Sequence, residues 1–408
     1  MDMKVVHLSY YYGNNTSGAP MAAMRLHWAL LRIGIESHFV CIDQRESGEN
    51  VHRLPKSWIG SLVYYLLPRG LWVLSKVLFG QMYMPNLIPL AGFGKLMRGL
   101  KPDIVHIHYI GQDMVAYEQL ARLDCGTVVT LHDISLINAV DSYPGADSRF
   151  VEGFSRSNSS AFERWMFERK RRFVEKTKPH FTGPSKWICG LCANSLIGRG
   201  RPVELVPNIV DPTFGFDSGR RVRGEKFVLL FGAYGGRASS LKGWPDLEAA
   251  LGLLPDEIKA NMTVNIFGEN AADCEVKGVP AHFLGVIKDP SVLRDEHHKA
   301  DAFALPSRQD NAPQVKFEAL LDGLPVLAFE RTGCAECIRL KENGWVSPDG
   351  DIADYAKGIE FFYRMWQRGD LEPIRGKIAE SAKKEFSEAE IVREMVAVYE
   401  RCLSSDRK

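Results

Sequence analysis

Short apolar stretches alternate with amphipathic stretches along most of the chain. In the first half we predict strands at KVVHLSY, SHFVCI, DIVHIHY, TVVTLHD and HFTGPS, with helices such as APMAAMRLHWALLRIG between some of them. Further along, the alternation restarts with KFVLLFGAY, MTVNIFGE, AHFLGV, DAFALPS and LPVLAF. Near-continuous apolar strands separated by helices are typical of parallel sheets that are covered on both faces. The pattern therefore predicts an α/β fold with two parallel sheets.

A turn-rich stretch, VPNIVDPTFGFDSGRRVRGE, separates the two halves, and 408 residues exceed what one hydrophobic core usually supports. We therefore predict an N-terminal domain at residues 1–206, a linker at residues 207–224 and a C-terminal domain at residues 225–385. Residues 386–408 are predicted to include an amphipathic helix that could pack back on the N-terminal domain. Because parallel sheets bind ligands at the carboxyl ends of their strands, two facing sheets predict a ligand cleft between the domains.

The composition is that of an ordinary globular protein, with 45% apolar and 25% charged residues. A formal net charge of +1 gives no overall electrostatic reason to expect a nucleic acid partner. The start of the chain, MDMKVVHLSYYYGNNTSG, has too short an apolar run for a signal peptide, so we expect a cytoplasmic protein. The eight cysteines include two CxxC pairs, CGLC and CAEC, which are too far apart for a zinc finger, and we expect reduced thiols.

The most informative stretch is PSRQDNAPQVKFEALLDGLPV, residues 306–326, which lies between the predicted strands AFAL and PVLAF. Asp310 or Asn311 is predicted to cap a helix here. Asn311, Gln314 and Glu318 then fall at i, i+3 and i+7, on one face of that helix. A helix N-terminus beyond a strand end attracts phosphate, and carboxylates can accept the hydroxyls of a ribose or a sugar. The alternative is a solvated helix face with an N-cap.

The same stretch, extended to PSRQDNAPQVKFEALLDGLPVLAF, resembles the signature of the retaining family-4 glycosyltransferases of GT-B fold. That signature has two acidic residues that flank seven others before a GxPV turn. The resemblance implies two Rossmann-like domains that face each other across a cleft. It also implies that Glu318 binds the nucleoside ribose of a sugar donor and that Asp310 contacts the donor sugar. Asp310 departs from the pattern, since glutamate is commoner at its position.

Other segments are similar to the same family in the same order. They are TSGAPMAAMRLHWALLRIG, KPDIVHIHY, TLHD, GPSKWI, VPNIVD, FGAYGGRASSLKGWPDLEAAL, RTGCAECI and NGWVSPDGD. In the first of them, Gly18 corresponds to the glycine of a turn that faces donor phosphate or acceptor. Asn311 and Gln314 would join Glu318 in donor binding.

The resemblance also implies roles for three further side chains. Lys242, in SSLKGWPDL, would neutralise the leaving nucleoside diphosphate. The family usually has an arginine shortly before this lysine, and Arg237 is the candidate for it; the alternative for Lys242 is a solvated loop lysine. His132 would lie beside the donor sugar at the reaction centre. Its alternatives are a structural histidine or, with His106 and His108, a metal ligand.

We expect neither a metal nor a resident cofactor, because Lys242 and helix dipoles could neutralise the diphosphate. The stretches SWIGSLVYYLLPRGLWVLSKVLFGQMYM and FERWMFERKRRFVEKTK are aromatic and basic. Core packing is one interpretation of them. The other is a peripheral contact with the inner membrane face that brings a lipid-linked acceptor to the N-terminal domain.

Taken with the resemblance, these residues favour a retaining, metal-independent transferase that moves a sugar from a nucleoside-diphosphate sugar to a glycan or lipid-linked acceptor in surface polysaccharide synthesis. Catalysis would rest on His132, Lys242 and Asp310, through positioning and charge stabilisation. Two alternatives stay open: a sugar-nucleotide epimerase of similar architecture, and a non-catalytic subunit that binds nucleotide-sugar or glycan. A dinucleotide dehydrogenase is disfavoured, since neither half has G-x-G-x-x-G after its first strand.

Overall fold

The two alternating halves of the sequence fold into two separate seven-stranded sheets in the computed structural model of the chain. The structure describes residues 3–13, 18–54, 86–87, 89–111, 114–145, 147–221, 223–232, 237, 239 and 241–405. The first unit comprises Met1–Pro207 and Ile391–Lys408, and the second comprises Asn208–Glu390. Neighbouring strands in both sheets pair mainly in parallel, which confirms the predicted α/β class.

The sheet of the first unit pairs its described strands in parallel. The strands of this unit are β1 (Lys4–Ser9), β2 (Tyr11–Tyr12), β3 (Glu36–Cys41), β4 (Asp43–Gln44), β5 (Val51–Arg53), β6 (Ile104–Tyr109), β7 (Gly126–Thr130), β8 (His180–Gly183) and β9 (Val203–Leu205). The sheet order is β5-β3-β1-β6-β7-β8-β9, and β2 and β4 form a separate pair. The chain moves outward from β1 on one side and returns to β6 on the other, so a ligand crevice is expected beyond the carboxyl ends of these central strands.

The two faces of this first sheet differ in polarity. Val6 and Leu8 of β1 and Ile107 of β6 are buried in a large apolar core. His7 and His106 pair in register on the same two strands, and they point to the opposite face because side chains alternate along a strand. Both histidines are fully buried. The unit therefore contains a buried polar layer that the apolar appearance of its strands conceals.

Helices of the first unit flank this sheet. They are α1 (Gly18–Arg32), α2 (Phe93–Leu100), α3 (Tyr117–Leu120), α4 (Arg149–Glu152), α5 (Ala161–Thr177) and α6 (Lys186–Asn194). Helix α5 begins with a capping box, in which Ser160 and Glu163 each accept a hydrogen bond from the other's backbone N–H. Its buried stripe includes Phe167 and Phe173, and Lys170 lies on the same stripe.

The sheet of the second unit has one antiparallel edge. Its strands are β10 (Phe227–Gly232), β11 (Met262–Phe267), β12 (Cys274–Val276), β13 (Val279–Gly285), β14 (Ala302–Leu305), β15 (Val326–Phe329) and β16 (Gly344–Ser347). The spatial order is β12-β13-β11-β10-β14-β15-β16, and only the β12 and β13 pairing is antiparallel among the described strands. The helices are α7 (Trp244–Gly252), α8 (Asp256–Ala260), α9 (Pro290–Lys299), α10 (Gln314–Leu321), α11 (Ile352–Arg368) and α12 (Glu372–Glu385).

The final helix, α13 (Glu388–Ser405), returns to the first unit from Ile391 onward. The Tyr399 hydroxyl lies 2.7 Å from Nδ1 of His106 on β6. The Cys402 thiol donates to the carbonyl oxygen of Thr127 on β7. The last helix is thus part of the core around the first sheet.

The segment expected to be a linker is anchored to the second unit by polar contacts. Backbone N–H groups of Gly215 and Asp217 donate to Asp322 and His298, at 2.7 and 3.1 Å. Arg221 forms ion pairs with Asp301 and Glu372. These contacts explain why the second unit begins at Asn208.

Within the described part of the chain, every helix is too short or too polar to cross a bilayer. The aromatic stretch at residues 57–84 lies outside the described residues. The second aromatic and basic stretch is α5, where Trp165 is 44% exposed while Phe167 and Phe173 are buried. For this helix, core packing and an exposed aromatic side chain coexist.

Candidate active site

Two loops meet at the carboxyl ends of adjacent strands in the second unit. β10 and β14 are neighbours in the sheet, so the loops that follow them lie side by side. The Arg308 N–H donates to the carbonyl oxygen of Leu241 at 2.8 Å. Gly243 has φ +72°, and a Cβ built there would lie 1.8 Å from the carbonyl oxygen of Pro306. Only glycine allows this approach.

Lys242 and Asp310 are brought into direct contact by these two loops. Nζ of Lys242 donates to Oδ2 of Asp310 at 2.5 Å, and the two side chains are 26% and 12% exposed. Burial alone lowers the pKa of Lys242, but the Asp310 carboxylate outweighs it and the pKa is raised. Lys242 is therefore an ammonium ion whose charge is balanced by a carboxylate that solvent can still reach.

Arg237 is held by a separate acidic partner. Its backbone N–H and Nε both donate to Glu269, at 2.6 and 2.7 Å. Its guanidinium carbon lies 4.5 Å from the ring centre of Phe283 and 5.5 Å from that of Trp244. The guanidinium is thus placed by one hydrogen bond from Nε and by two aromatic rings, and the backbone N–H holds the same carboxylate.

Residues of the signature stretch occupy α10 and the loop before it. Glu318 and Asn311 are buried, at 5% and 3% exposure, and Gln314 is the first residue of the helix. The prediction that Asp310 or Asn311 caps this helix is wrong: α10 begins after Pro313, with no side-chain cap. The physical reason is that Pro313 starts the helix later and the Asp310 carboxylate is occupied by Lys242.

A cavity of about 220 Å³ lies at the carboxyl ends of β6 and β7 in the first unit. Its lining includes His108, Tyr109, His132, Asp133 and Lys170. This is the edge of a parallel sheet at which ligands bind. His132 thus lines this cavity, and its predicted place beside the donor sugar stays a prediction.

Three imidazoles form a hydrogen-bonded row that leads to this cavity. Nδ1 of His7 lies 3.0 Å from Nε2 of His108, and Nδ1 of His108 lies 3.3 Å from Nε2 of His132. Burial lowers the pKa of His132 to about 4 and the pKa values of His7 and His108 well below their usual range. All three rings are therefore neutral at physiological pH.

The alternative of a metal site centres on a cluster of His7, His106 and His108, whose nitrogens lie within 4.8 Å of one another. His106 uses one ring nitrogen for the Tyr399 hydroxyl and the other for the Thr130 hydroxyl, both at 2.7 Å. His108 uses both of its nitrogens for other histidines. The cluster is thus assembled as a hydrogen-bond network, and metal independence stays a prediction.

Lys170 is a site residue that sequence reasoning missed. Its buried Nζ donates to the carbonyl oxygens of Ser135, Asn138 and Ala139, at 2.5, 3.0 and 2.8 Å. Burial lowers its pKa to about 7. The three contacts hold the loop that follows His132. The sequence did contain a sign of its burial, because Lys170 lies at helical spacing among the apolar residues of α5.

Lys316 has the same function in the second unit. Its Nζ donates to the carbonyl oxygens of Gly333 and Glu336 at 2.6 and 2.9 Å, and burial lowers its pKa. These bonds hold the loop after β15. The sequence signal was its position four residues before the buried Leu320, on the apolar side of α10.

Gly18 is the first residue of α1, and a Cβ at this position would meet no atom within 4 Å. The turn itself, residues 14–17, lies outside the described residues. The structure therefore gives no steric reason for glycine at position 18 among the described contacts, and its predicted role in donor binding stays a prediction.

Two family models match the chain. Glycosyltransferase Family 4 matches residues 16–214, and Glycosyl transferases group 1 matches residues 229–364. The matches follow the order of the two sheets. They cover His132 in the first unit and Lys242, Asp310 and Glu318 in the second.

Two relatives with glycosyltransferase names agree with these matches. The putative glycosyltransferase EpsD of Bacillus subtilis is 27% identical over 46% of this chain and 48% of that protein. The putative colanic acid biosynthesis glycosyltransferase WcaL of Escherichia coli is 26% identical over 24% of this chain and 26% of that protein. The aligned regions thus span half or less of these relatives.

The structure of Anabaena Alr3699/HepE in complex with UDP-glucose is similar over 99% of this chain and 100% of that one, with a TM-score of 0.63 and 15% identity. This likeness concerns the fold. With two parallel-sheet units, each matched by the corresponding family model, the chain belongs to the family-4, or group 1, glycosyltransferases of GT-B fold.

Proposed function

We propose that the chain is a retaining glycosyltransferase that moves a sugar from a nucleoside-diphosphate sugar to a glycan or lipid-linked oligosaccharide in surface polysaccharide synthesis. The observation that carries the proposal is the contact between Lys242 and Asp310. It joins the two loops to which the family resemblance assigns diphosphate and sugar binding. Family membership and relatives named as glycosyltransferases support the same activity.

In this proposal the donor binds at the carboxyl ends of β10 and β14. Lys242 exchanges part of its contact with Asp310 for the diphosphate, and Asp310 accepts hydroxyls of the donor sugar. Glu318 accepts the ribose hydroxyls, and Asn311 and Gln314 contribute polar contacts near the N-terminus of α10. A neighbour of the same fold has been crystallised with UDP-glucose, which supports a nucleoside-diphosphate sugar as donor.

Arg237 and Gly18 are the remaining residues of the proposed donor site. Gly18 would lie at the turn that faces the donor phosphate or the acceptor. The Glu269 carboxylate keeps the Arg237 guanidinium in a fixed orientation, from which it can add a second positive charge beside the diphosphate. The departing diphosphate is then stabilised mainly by positioned cations and N–H dipoles, without a metal ion. His132 flanks the reacting carbon, and no covalent intermediate with the protein is required.

For the acceptor, we propose a lipid-linked glycan at the inner membrane face. The exposed Trp165 supports this placement, with the Arg169 guanidinium 4.9 Å from its ring centre. Flotation with anionic vesicles tests it: Trp165→Ala should lose binding, whereas the exposed Leu253→Ala control should keep it. Equal flotation of both variants contradicts the membrane contact.

The donor test is a thermal-shift panel of UDP, GDP, ADP, CMP and NAD, with magnesium or with EDTA. A ligand at about a hundred times its Kd adds about 2.7 kcal/mol, which is a shift of a few degrees. We expect one nucleoside diphosphate to raise Tm equally with and without magnesium. Lys242→Met should abolish the shift, and the control Lys259→Met, on α8, should preserve it.

The transfer test follows the anomeric configuration of the product by NMR. Retention with a nucleotide-sugar and a glycan acceptor supports the proposal. Conversion of the sugar nucleotide without an acceptor would instead show an epimerase, and binding without turnover a non-catalytic subunit. A response to NAD alone contradicts the assignment of the donor site.

A further inference from the structure

The row of imidazoles in the first unit connects the interior of the sheet to the cavity. His7 lies on β1, His108 on β6, and His132 two residues beyond the end of β7. The two connecting contacts are 3.0 and 3.3 Å. Both fit N–H···N hydrogen bonds between rings, so each contact has one donor and one acceptor nitrogen.

A neutral imidazole carries a single N–H proton, and this fixes the direction of the whole row. If Nδ1 of His7 donates to His108, then Nδ1 of His108 must donate to His132, whose Nε2 accepts. In the opposite direction, His132 donates to His108 and His108 donates to His7. His7 must then carry its own proton on Nε2.

The two directions differ at Nε2 of His7. This atom is buried and has no hydrogen-bond partner among the described residues. A buried N–H group without an acceptor is rarer in folded proteins than an unfilled acceptor. The proton of His7 is therefore better placed on Nδ1, and the row donates toward His132.

A second network keeps the middle ring in place. The ring centre of His106 lies 3.9 Å from that of His108, at an angle of 35°. His106 is itself held by Thr130 of β7 and by Tyr399 of α13. Rotation of His108 would disturb this packed layer. Three strands and the last helix therefore fix the orientation of the His108 ring that contacts His132.

We propose that His108 and His7 are positioning residues that fix the tautomer of His132, with its proton on Nδ1 and its Nε2 occupied as an acceptor. The inference rests on the proposed function for the role it gives His132. His132 then enters the reaction as a neutral hydrogen-bond donor to the donor sugar, and Nε2 is not available as a general base. The sugar-nucleotide epimerase alternative would need that base.

The test uses the full-length protein labelled with ¹⁵N at histidine. A long-range ¹H–¹⁵N correlation spectrum identifies the protonated nitrogen of each ring, and His132→Gln assigns the signals of His132. We expect the His132 proton on Nδ1. A proton on Nε2 in the unmodified protein overturns the proposal without any variant or activity measurement.

Two substitutions at one position sharpen the test. His7→Leu removes the first donor, so His132 should become a mixture of tautomers; His7→Gln retains an N–H donor and should restore the Nδ1–H form. His52→Leu is the control, because it breaks a similar contact of 3.1 Å with His38 outside the row. An unchanged His132 tautomer in His7→Leu overturns the proposal.

Kinetics provide the second readout. His7→Leu should lower kcat about 10-fold to 100-fold, as loss of an orienting partner does elsewhere, with the donor KM within about 2-fold. His7→Gln should recover most of kcat. If the protein transfers no sugar at all, the proposed function fails, whereas the tautomer measurement still decides the present inference.

Discussion

The two candidate sites hold their polar groups in opposite ways. In the first unit, His7, His108 and His132 are neutral rings whose contacts are fixed by buried strands. In the second unit, Lys242 and Asp310 form an ion pair on loops that solvent still reaches. A buried neutral row keeps one geometry, because any rotation leaves polar atoms without partners.

Under the proposed function, this difference would suit the diphosphate and the sugar of a donor. A diphosphate brings negative charge, and an ammonium ion that is already paired with a carboxylate can change partners with little change in net desolvation. Sugar hydroxyls bring no charge, and they are oriented by hydrogen-bonding groups held in fixed positions. The comparison predicts that damage to the first site affects turnover and that damage to the second affects binding.

The largest expected effect is a loss of turnover when the first site is damaged, compared with a loss of nucleotide binding when the second site is damaged. His132→Ala should lower kcat about 10²-fold to 10³-fold, as loss of one positioned hydrogen-bond donor does, while nucleotide Kd changes less than about 2-fold. Glu318→Ala should weaken nucleotide binding instead. Calorimetric titration and initial rates measure both quantities, and the reverse pattern would contradict the assignment of roles.

The two buried lysines provide the next comparison. Lys170→Met leaves three carbonyl oxygens without a donor and should cost about 3 kcal/mol, whereas Lys316→Met leaves two and should cost about 2 kcal/mol. Urea unfolding measures both free energies. The exposed Lys384→Met is the control and should change stability by less than about 0.5 kcal/mol. An equal effect of all three contradicts the loop-holding role.

Substitution of Gly243 and of Gly18 by alanine should differ in their effects on the free energy of unfolding. Gly243→Ala should destabilise the second unit by about 1 to 3 kcal/mol, because of its positive φ and the approach of Pro306. Gly18→Ala should leave stability unchanged, since its Cβ meets open space, and should weaken donor binding only if the predicted phosphate contact exists. Thermal unfolding with and without nucleotide distinguishes these results. A stable Gly243→Ala protein would contradict the tight approach of the two loops.

The last effect is a change of stability with pH. Burial lowers the pKa of folded Lys170 from 10.5 to about 7, so between these values the unfolded chain binds more protons than the folded chain. Stability from this group therefore rises with pH over that interval. Lys170→Met should flatten the slope of urea midpoints from pH 7 to 10, and Lys384→Met should retain it. An unchanged slope in Lys170→Met would contradict the lowered pKa.

The sequence sufficed for the central strands of both sheets. Short local patterns also drew attention to Lys242 and Asp310, in loops beyond strand ends, and to Glu318 on α10, and their roles stay predictions. The row of histidines could not be predicted from the sequence, because His7 and His108 are 101 positions apart and each lies in a mainly apolar strand. Lys170 and Lys316 were missed, because each is a single charged residue on the buried side of a helix.

Placement of the last helix in the first unit also sets the order of events during synthesis. Tyr399 and Cys402 complete the layer around β6 and β7, but the ribosome adds them only after the whole of residues 208–390. At about 5 to 20 residues per second, the first sheet emerges about 10 to 40 s before its final helix exists. During that interval the buried histidines of β6 have no contact with Tyr399.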